Sequence, residues 1–167
     1  EREGRPPAEE YLVRIDNASR AIDNVAARCR ELGVSLLLEN MLPHLLFGRT
    51  QDMLYIMGAI TETNVSTCLD TGHANLAGDL PSVVHKLSCH LRMVHANDNR
   101  GDRDEHLPPG DGAIDWPEVL RQLETYAFRG ALILELSGKH GSDYQATMQD
   151  ARRARHFLQE ICRDLAC

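Results

Sequence analysis

The sequence lacks the features that mark membrane-spanning and duplex-binding proteins. No apolar run approaches the roughly 18 residues of a membrane helix, so we expect no membrane partner. The net charge is −7, without the basic excess that neutralises phosphates in most duplex-binding proteins, which disfavours nucleic acid as a partner. No signal peptide is visible, although the chain begins at Glu1 and not at a methionine, which leaves its native N-terminus open.

The chain also has no cysteine pattern that identifies a disulfide framework or a zinc site. Its five cysteines are an odd number and include no C-x-x-C pair. We interpret them as reduced thiols of a cytoplasmic protein, most of them acting as small buried hydrophobes. Low-complexity segments and linkers are missing as well. The 167 residues, 43% hydrophobic and 26% charged, therefore predict a single globular domain over residues 1–167.

What the chain does contain is a regular alternation of helical and strand patterns. A helix is predicted from Ala8 to Gly33, because apolar residues recur there at three- and four-residue steps. Four apolar runs too short for helices predict buried strands at 34–38, 65–69, 91–94 and 131–134. Further helices are predicted at 50–60 with Thr50 as N-cap, at 81–87, at 116–126 with Asp115 as N-cap, and from about 142. This order predicts an α/β fold, a parallel sheet with helices outside.

Each predicted strand ends on a residue with a metal-ligand side chain. The four residues are Glu39, Asp70, His95 and Glu135. In α/β barrels the carboxyl ends of the strands form the active face, so we expect these side chains to converge within one coordination sphere. One strand-end carboxylate often only caps the next helix, but four such residues in succession favour a functional site.

Two glutamates, an aspartate and a histidine make a hard, oxygen-rich ligand set. Such a set suits Mn²⁺, Mg²⁺ or Co²⁺ and accepts Zn²⁺, so a divalent metal ion is the expected cofactor. A metal with open positions polarises a substrate carbonyl and lowers the pKa of a neighbouring hydroxyl or water. Glu39 and Glu135 would then move a proton to or from the carbon next to that carbonyl.

A long polar stretch, residues 92–116, follows the third predicted strand. Asn97, Asp98 and Arg103 are candidate substrate-binding residues in it, and an arginine suits a hydroxyl or a phosphate. Asp104 and His106 are spaced to point the same way from an extended loop, so they are candidates for a second metal site. The alternative for this pair is a solvated surface position.

His73 is a further candidate, because it lies three residues after Asp70 in the turn that follows the second strand. It can reach a substrate oxygen or a second metal, and the alternative is a histidine that only caps the next helix. The remaining histidines show no such context and are interpreted as surface or helix residues; they are His44, His85, His90, His140 and His156.

Taken together, these motifs resemble the xylose-isomerase-like TIM barrels. The motifs are LEN at 38–40, LDTGH at 69–73, HAND at 95–98, HLPPGDG at 106–112, IDW at 114–116 and LE at 134–135. That superfamily holds sugar isomerases and epimerases, inosose dehydratase-like enzymes and the endonuclease IV branch of abasic-site endonucleases. The resemblance covers nearly the whole chain from about Ala8.

The resemblance implies roles for individual residues. In the epimerase-like members the metal ligands would be Glu39, Asp70, His95 and Glu135. The two glutamates would also be the acid/base pair, and His73 and Arg103 would contact the substrate. In the endonuclease IV-like members, His73, Asp104 and His106 would instead be further zinc ligands.

The match is to half a barrel, strands five to eight of the family, because a complete member has eight βα units and about 250 residues. The two early-strand histidines of a trinuclear zinc cluster have no counterpart. An open four-stranded sheet leaves two unsatisfied edges. We therefore expect either an N-terminal half that is absent from this sequence or a second copy that completes the barrel in a homo-oligomer.

Three functional hypotheses remain at this point. The first is a metal-dependent isomerase or epimerase acting on a small sugar or polyol. The second is an endonuclease IV-like zinc hydrolase of abasic DNA, which the acidic charge balance disfavours. The third is a catalytically incomplete fragment that keeps its ligands but not a whole substrate pocket.

Overall fold

The computed structural model describes residues 8–137 and 143–165, in which helices and strands alternate along the chain. The helices are α1 (Ala8–Glu31), α2 (Thr50–Ala59), α3 (Thr71–Leu76), α4 (Leu80–Leu87), α5 (Trp116–Thr125) and α6 (Tyr144–Leu165). The strands are β1 (Leu36–Glu39), β2 (Val65–Asp70), β3 (Leu91–Ala96) and β4 (Ala131–Leu134). The strands are short and mainly apolar, which suits strands covered by helices.

The four strands form one sheet in the order β1-β2-β3-β4, and every pairing is parallel. Neighbouring strands are therefore consecutive in the chain, as in the successive units of a βα barrel. In the register of the sheet Asp70 pairs with His95, and Glu39 pairs with Cys68. This parallel sheet with flanking helices confirms the predicted α/β class.

The hydrophobic core lies on the helix-covered face of the sheet. Leu69 and Val94 are fully buried there, and Trp116 packs in the same cluster from the start of α5. Because side chains alternate between the two faces of a strand, His95 points to the opposite face from Val94. Ile133, two residues before Glu135, is 44% exposed, so this opposite face is open on the side of β4.

Several boundaries differ from those predicted from the sequence. Strand β1 begins at Leu36, because Val34 lies in the turn after α1 and is 53% exposed. Strand β3 continues to Ala96, so His95 is its penultimate residue and not its last. Thr50 lies inside α2, and the N-cap is Arg49, whose side chain makes no capping hydrogen bond.

Other predictions about the helices are confirmed or fall outside the described residues. Asp115 is the N-cap of α5, and its carboxylate accepts a hydrogen bond from Glu118 N at 3.1 Å. Helix α6 begins at Tyr144, whereas residue 142 and His140 lie outside the described residues. Within the described residues, no helix is both long and apolar enough to span a membrane.

The two edge strands, β1 and β4, have only one strand partner each in the described part of the chain. Beside β4 there is a cleft of about 390 Å³ under α5 and α6, lined mainly by apolar side chains such as Leu132, Leu134 and Leu158. Unpaired strand edges next to apolar surface are sites where further strands add.

We expect the 167-residue chain not to persist as an isolated monomer. Each large apolar side chain that stays exposed forfeits about 1.5–3 kcal/mol of burial, and each edge also leaves backbone polar groups without a strand partner. Light scattering across a concentration series at micromolar protein tests this expectation. A well-folded, monodisperse monomer throughout the series would contradict it.

Candidate metal centre

Four side chains from the carboxyl ends of the four strands meet on the open face of the sheet. They are Glu39, Asp70, His95 and Glu135, and each offers a ligand atom within 4.8 Å of the others. His95 Nδ1 lies 3.4 Å from Glu39 Oε1 and 3.0 Å from Glu135 Oε2. The structure thus brings together all four residues that the sequence places at strand ends, while their role as metal ligands stays a prediction.

The local structure around Asp70 explains how its carboxylate is held. Asp70 is the N-cap of α3, and its Oδ1 accepts a hydrogen bond from His73 N at 2.7 Å. The adjacent strand contributes Asn40, whose side chain exchanges two hydrogen bonds with the Asp70 backbone: Nδ2 donates to the carbonyl at 2.9 Å, and Oδ1 accepts from the amide at 2.7 Å. The carboxyl ends of β1 and β2 are therefore locked together.

The electrostatics of this cluster disfavour negative charge. Burial raises the pKa of Glu39, His95 opposes this effect, and the nearby Asp70 and Glu135 carboxylates add to it. Burial also raises the pKa of Asp70, although the hydrogen bond from the His73 backbone amide lowers it. Burial and the charge of Glu39 raise the pKa of the Cys68 thiol to about 12, so Cys68 is a neutral thiol at physiological pH.

Two observations fit this donor set to a divalent cation. His95 Nδ1 and Glu135 Oε2 are buried and 3.0 Å apart, yet neither has a hydrogen-bond partner in the described residues. Ligand atoms that share one ion through bonds of about 2.1 Å lie about 3.0–3.5 Å apart, and the two distances from His95 Nδ1 to Glu39 and Glu135 fall in this range. Three carboxylates also supply the negative charge that a hard cation requires.

A second cluster adjoins the first and contains His73, Asp104 and His106. His73 Nε2 lies 3.5 Å from Asp104 Oδ2, and His106 Nε2 lies 3.2 Å from Asp104 Oδ1. His73 and His106 also form a possible ligand group with Asp70. The three residues that the sequence offers for a second metal or for substrate therefore come together, and their role stays a prediction.

His73 is oriented by the backbone of Asn40. Its Nδ1 lies 2.9 Å from the Asn40 carbonyl oxygen, and because a carbonyl only accepts, Nδ1 carries the proton of this bond. Nε2 is then the nitrogen that faces Asp104. Burial lowers the pKa of His73, whereas the charges of Asp70, Asp104 and Glu39 and the hydrogen bond to Asn40 raise it. The raising effects are together the larger, so the pKa of His73 lies above its ordinary value.

His106 reaches this cluster from a strained backbone position. Its φ is 47°, in the left-handed region, which costs a non-glycine residue about 1–2 kcal/mol. The next residue, Leu107, forms an antiparallel bridge with Asp98 through two hydrogen bonds of 2.8 Å. This bridge holds the loop in the conformation that carries His106.

Asp98 organises the loop and does not face the open side of the sheet. Its carboxylate accepts hydrogen bonds from Asn99 N, Gly110 N, Ile114 N and Trp116 Nε1, at 2.9–3.1 Å. Asp98 is fully buried, so it offers no surface to a substrate. Its predicted substrate-binding role finds no support in these contacts.

The positions of the two other loop candidates, Asn97 and Arg103, also differ from those expected for residues that contact a substrate directly. Asn97 is fully buried, and its side chain donates to Asp70 Oδ2. Arg103 is 76% exposed at the side chain and lies 3.7 Å from Asp102, so the structure leaves it on the surface beside the site. Substrate binding by Arg103 stays a prediction, and for Asn97 the geometry favours a role in holding Asp70.

Sequence reasoning assigned no role to Asn40, although this residue binds both Asp70 and His73. The available signal was its position directly after Glu39, at the end of a predicted strand. An asparagine there supplies a donor and an acceptor together, which a neighbouring strand end can use.

Parallel βα units with acidic and histidine side chains at the strand ends define a protein of the α/β barrel class. The chain belongs to the xylose isomerase-like TIM barrel family, whose family model matches residues 2–161. The predicted resemblance to this family is thereby confirmed.

Individual relatives agree with this assignment. The chain is 31% identical over 152 residues to an uncharacterized protein of Methanocaldococcus jannaschii, covering 87% of this chain and 48% of that protein. It is 26% identical over 174 residues to the inosose dehydratase of Geobacillus thermodenitrificans, covering 92% and 55%. A solved D-tagatose 3-epimerase-like protein superposes with a TM-score of 0.80 at 29% identity, covering 91% of this chain and 55% of that one. The chain thus spans about half the length of these relatives.

We expect Asp98→Ala to lower the free energy of unfolding by roughly 3 kcal/mol or more, because four donors, three of them buried, lose their acceptor. Urea unfolding followed by circular dichroism measures this change. The matched control is Asp102→Ala, an exposed aspartate of the same loop, which should change the stability by at most about 0.5 kcal/mol. Equal effects of the two substitutions would show that Asp98 does not organise the loop.

Proposed function

We propose that this protein is a metal-dependent isomerase or epimerase that transfers a proton at the carbon next to a carbonyl group of a small sugar or polyol. The observation that carries the proposal is the cluster of Glu39, Asp70, His95 and Glu135. Membership of the xylose isomerase-like family supports it. So does the similarity to a D-tagatose 3-epimerase-like protein and to an inosose dehydratase.

The positions of the two glutamates support a role as an acid/base pair. Glu39 and Glu135 come from the two outer strands of the sheet and approach His95 Nδ1 from both sides. Both are partly exposed on the open face, whereas Asp70 is fully buried between them. Epimerisation removes a proton from one side of a carbon and returns one on the other, so two opposed carboxylates suit it better than a single base.

Burial raises the pKa of Glu39 above its ordinary value, which makes this carboxylate a stronger base. A bound divalent ion would polarise the substrate carbonyl and make the adjacent carbon–hydrogen bond more acidic. The oxygen-rich donor set favours Mn²⁺, Mg²⁺ or Co²⁺, and it accepts Zn²⁺. His73, whose Nε2 faces Asp104 at 3.5 Å next to the same site, is the residue to which we assign a contact with a substrate hydroxyl.

Turnover of a panel of ketoses and inososes by Mn²⁺-loaded protein tests the proposal. Proton exchange with deuterated water, read by NMR, detects the reaction even when the product is not known in advance. We expect activity on at least one member of the panel and its loss on treatment with EDTA. Metal binding without turnover on any member would count against the proposal and favour a catalytically incomplete fragment.

We expect Glu135→Gln to reduce kcat by at least about 100-fold, because it removes a proton-transferring group and almost no volume. Circular dichroism should show an unchanged fold. Glu160→Gln is the matched control, since Glu160 lies exposed on α6 far along the chain from the cluster. A Glu135→Gln protein with parental kcat would reject the acid/base role.

A second candidate function is zinc-dependent hydrolysis of abasic DNA, favoured by the cluster of His73, Asp104 and His106. This reaction needs more than one zinc ion and a surface that accepts a nucleic acid, and the net charge of −7 opposes the latter.

We therefore expect no incision of an abasic duplex by the zinc-loaded protein. If the second cluster holds metal, the bound zinc content should fall when His106 is replaced by alanine; otherwise it should not change. Incision assays and elemental analysis measure the two quantities. Cleavage of the abasic duplex that depends on His106 would replace the isomerase proposal with the hydrolase.

A further inference from the structure

Two buried asparagines, Asn97 and Asn99, follow β3 and make different contacts. Both are fully buried. Asn97 Nδ2 donates to Asp70 Oδ2 at 2.6 Å. The Asn99 side chain instead binds α3 and its own loop: its Nδ2 donates to the Gly72 carbonyl at 2.9 Å, and its Oδ1 accepts from Asn75 Nδ2 at 2.8 Å and from Gly101 N at 3.0 Å.

We propose that Asn97 is a positioning residue that fixes the Asp70 carboxylate for binding a divalent cation. The inference rests on the proposed function only in that it takes Asp70 as a metal ligand, and it concerns binding and not turnover. Asp70 is fully buried, and protein donors bind both oxygens of its carboxylate.

The two oxygens of Asp70 are satisfied by one donor each. Oδ1 accepts from His73 N, and Oδ2 accepts from Asn97 Nδ2. A carboxylate oxygen has two lone pairs, so one lone pair on each oxygen remains for a cation. The amide of Asn97 therefore sets the plane of the carboxylate without competing with a metal.

The backbone of Asn97 is held by Thr71, the residue after Asp70. Thr71 Oγ1 donates to the Asn97 carbonyl at 2.7 Å and accepts from the Asn97 amide at 3.1 Å. The carboxyl ends of β2 and β3 are thus joined through side chains, and the amide of Asn97 is placed relative to Asp70 within a rigid frame.

Gly72 provides an independent indication, because it makes room for the Asn97 side chain. A Cβ atom at position 72 would stand 2.0 Å from Asn97 Oδ1 and 3.0 Å from Asn99 Nδ2. Its φ lies outside the left-handed region, so backbone conformation does not require a glycine there. The missing side chain therefore serves the position of the Asn97 amide.

Isothermal titration with Mn²⁺ alone tests the proposal on the purified protein. Hydrogen-bond partners of metal ligands typically contribute about 10–100-fold to metal affinity, so Asn97→Ala should raise the Kd for Mn²⁺ by that factor. Asn99→Ala is the matched control, since it has the same burial and lies in the same loop, and should change the Kd by less than about threefold. Thermal melting of the metal-free variants shows that each is folded.

Gly72→Ala is a second variant that tests the role of the Asn97 side chain, and its Mn²⁺ affinity can be measured even if Asn97→Ala does not fold. It should weaken Mn²⁺ binding in the parent but add little in the Asn97→Ala protein, because the closest contact of the added Cβ atom, at 2.0 Å, is with the Asn97 side chain. Parental Mn²⁺ affinity in folded Asn97→Ala or Gly72→Ala would overturn the proposal. An equal loss of Mn²⁺ affinity in Asn99→Ala would also overturn it, as would the absence of Mn²⁺ binding by the unsubstituted protein. Mn²⁺ binding that depends on Asn97, in a protein that turns over no sugar, would support this inference while the proposed function fails.

Discussion

The burial of one carboxylate, that of Asp70, is the constraint around which the surrounding structure is arranged. A buried charge without partners would be costly, and the hydrogen-bond donors around Asp70 reduce that cost. The α3 amide of His73 and the side chain of Asn97 donate to the carboxylate, and Asn40 binds the peptide group behind it. These contacts join three adjacent strand ends, so the same bonds that satisfy Asp70 also set the spacing of the centre.

Much of the fold could be predicted from the sequence, because apolar runs of strand length and helical periodicity are local signals. The convergence of Glu39 with Glu135 followed from a general property of parallel sheets, in which all strands end on one side. The extension of β3 to Ala96 and the start of α2 after Arg49 were missed. Such boundaries depend on partner strands and on packing, which a single stretch of sequence does not contain.

The roles of the loop residues were harder to predict for a physical reason. Asn97 and Asp98 are polar residues in a polar stretch, and polarity favours exposure unless partners are known. The structure buries both and gives each a partner distant in sequence: Asp70 for Asn97, and Trp116 for Asp98. By contrast, Asp104 and His106 lie where their spacing predicted, close to each other and to His73.

The attachment of Asp98 to both ends of its loop has a kinetic consequence. Since this carboxylate binds Asn99 at one end and Ile114 and Trp116 at the other, the segment between them is tied at its base. Opening it as a lid would require breaking several buried hydrogen bonds at once, each costing about 1–3 kcal/mol when left unsatisfied. The loop is therefore a fixed wall of the site. Under the proposed function, a substrate would therefore enter and leave over the open face of the sheet and not through a gating motion of this segment.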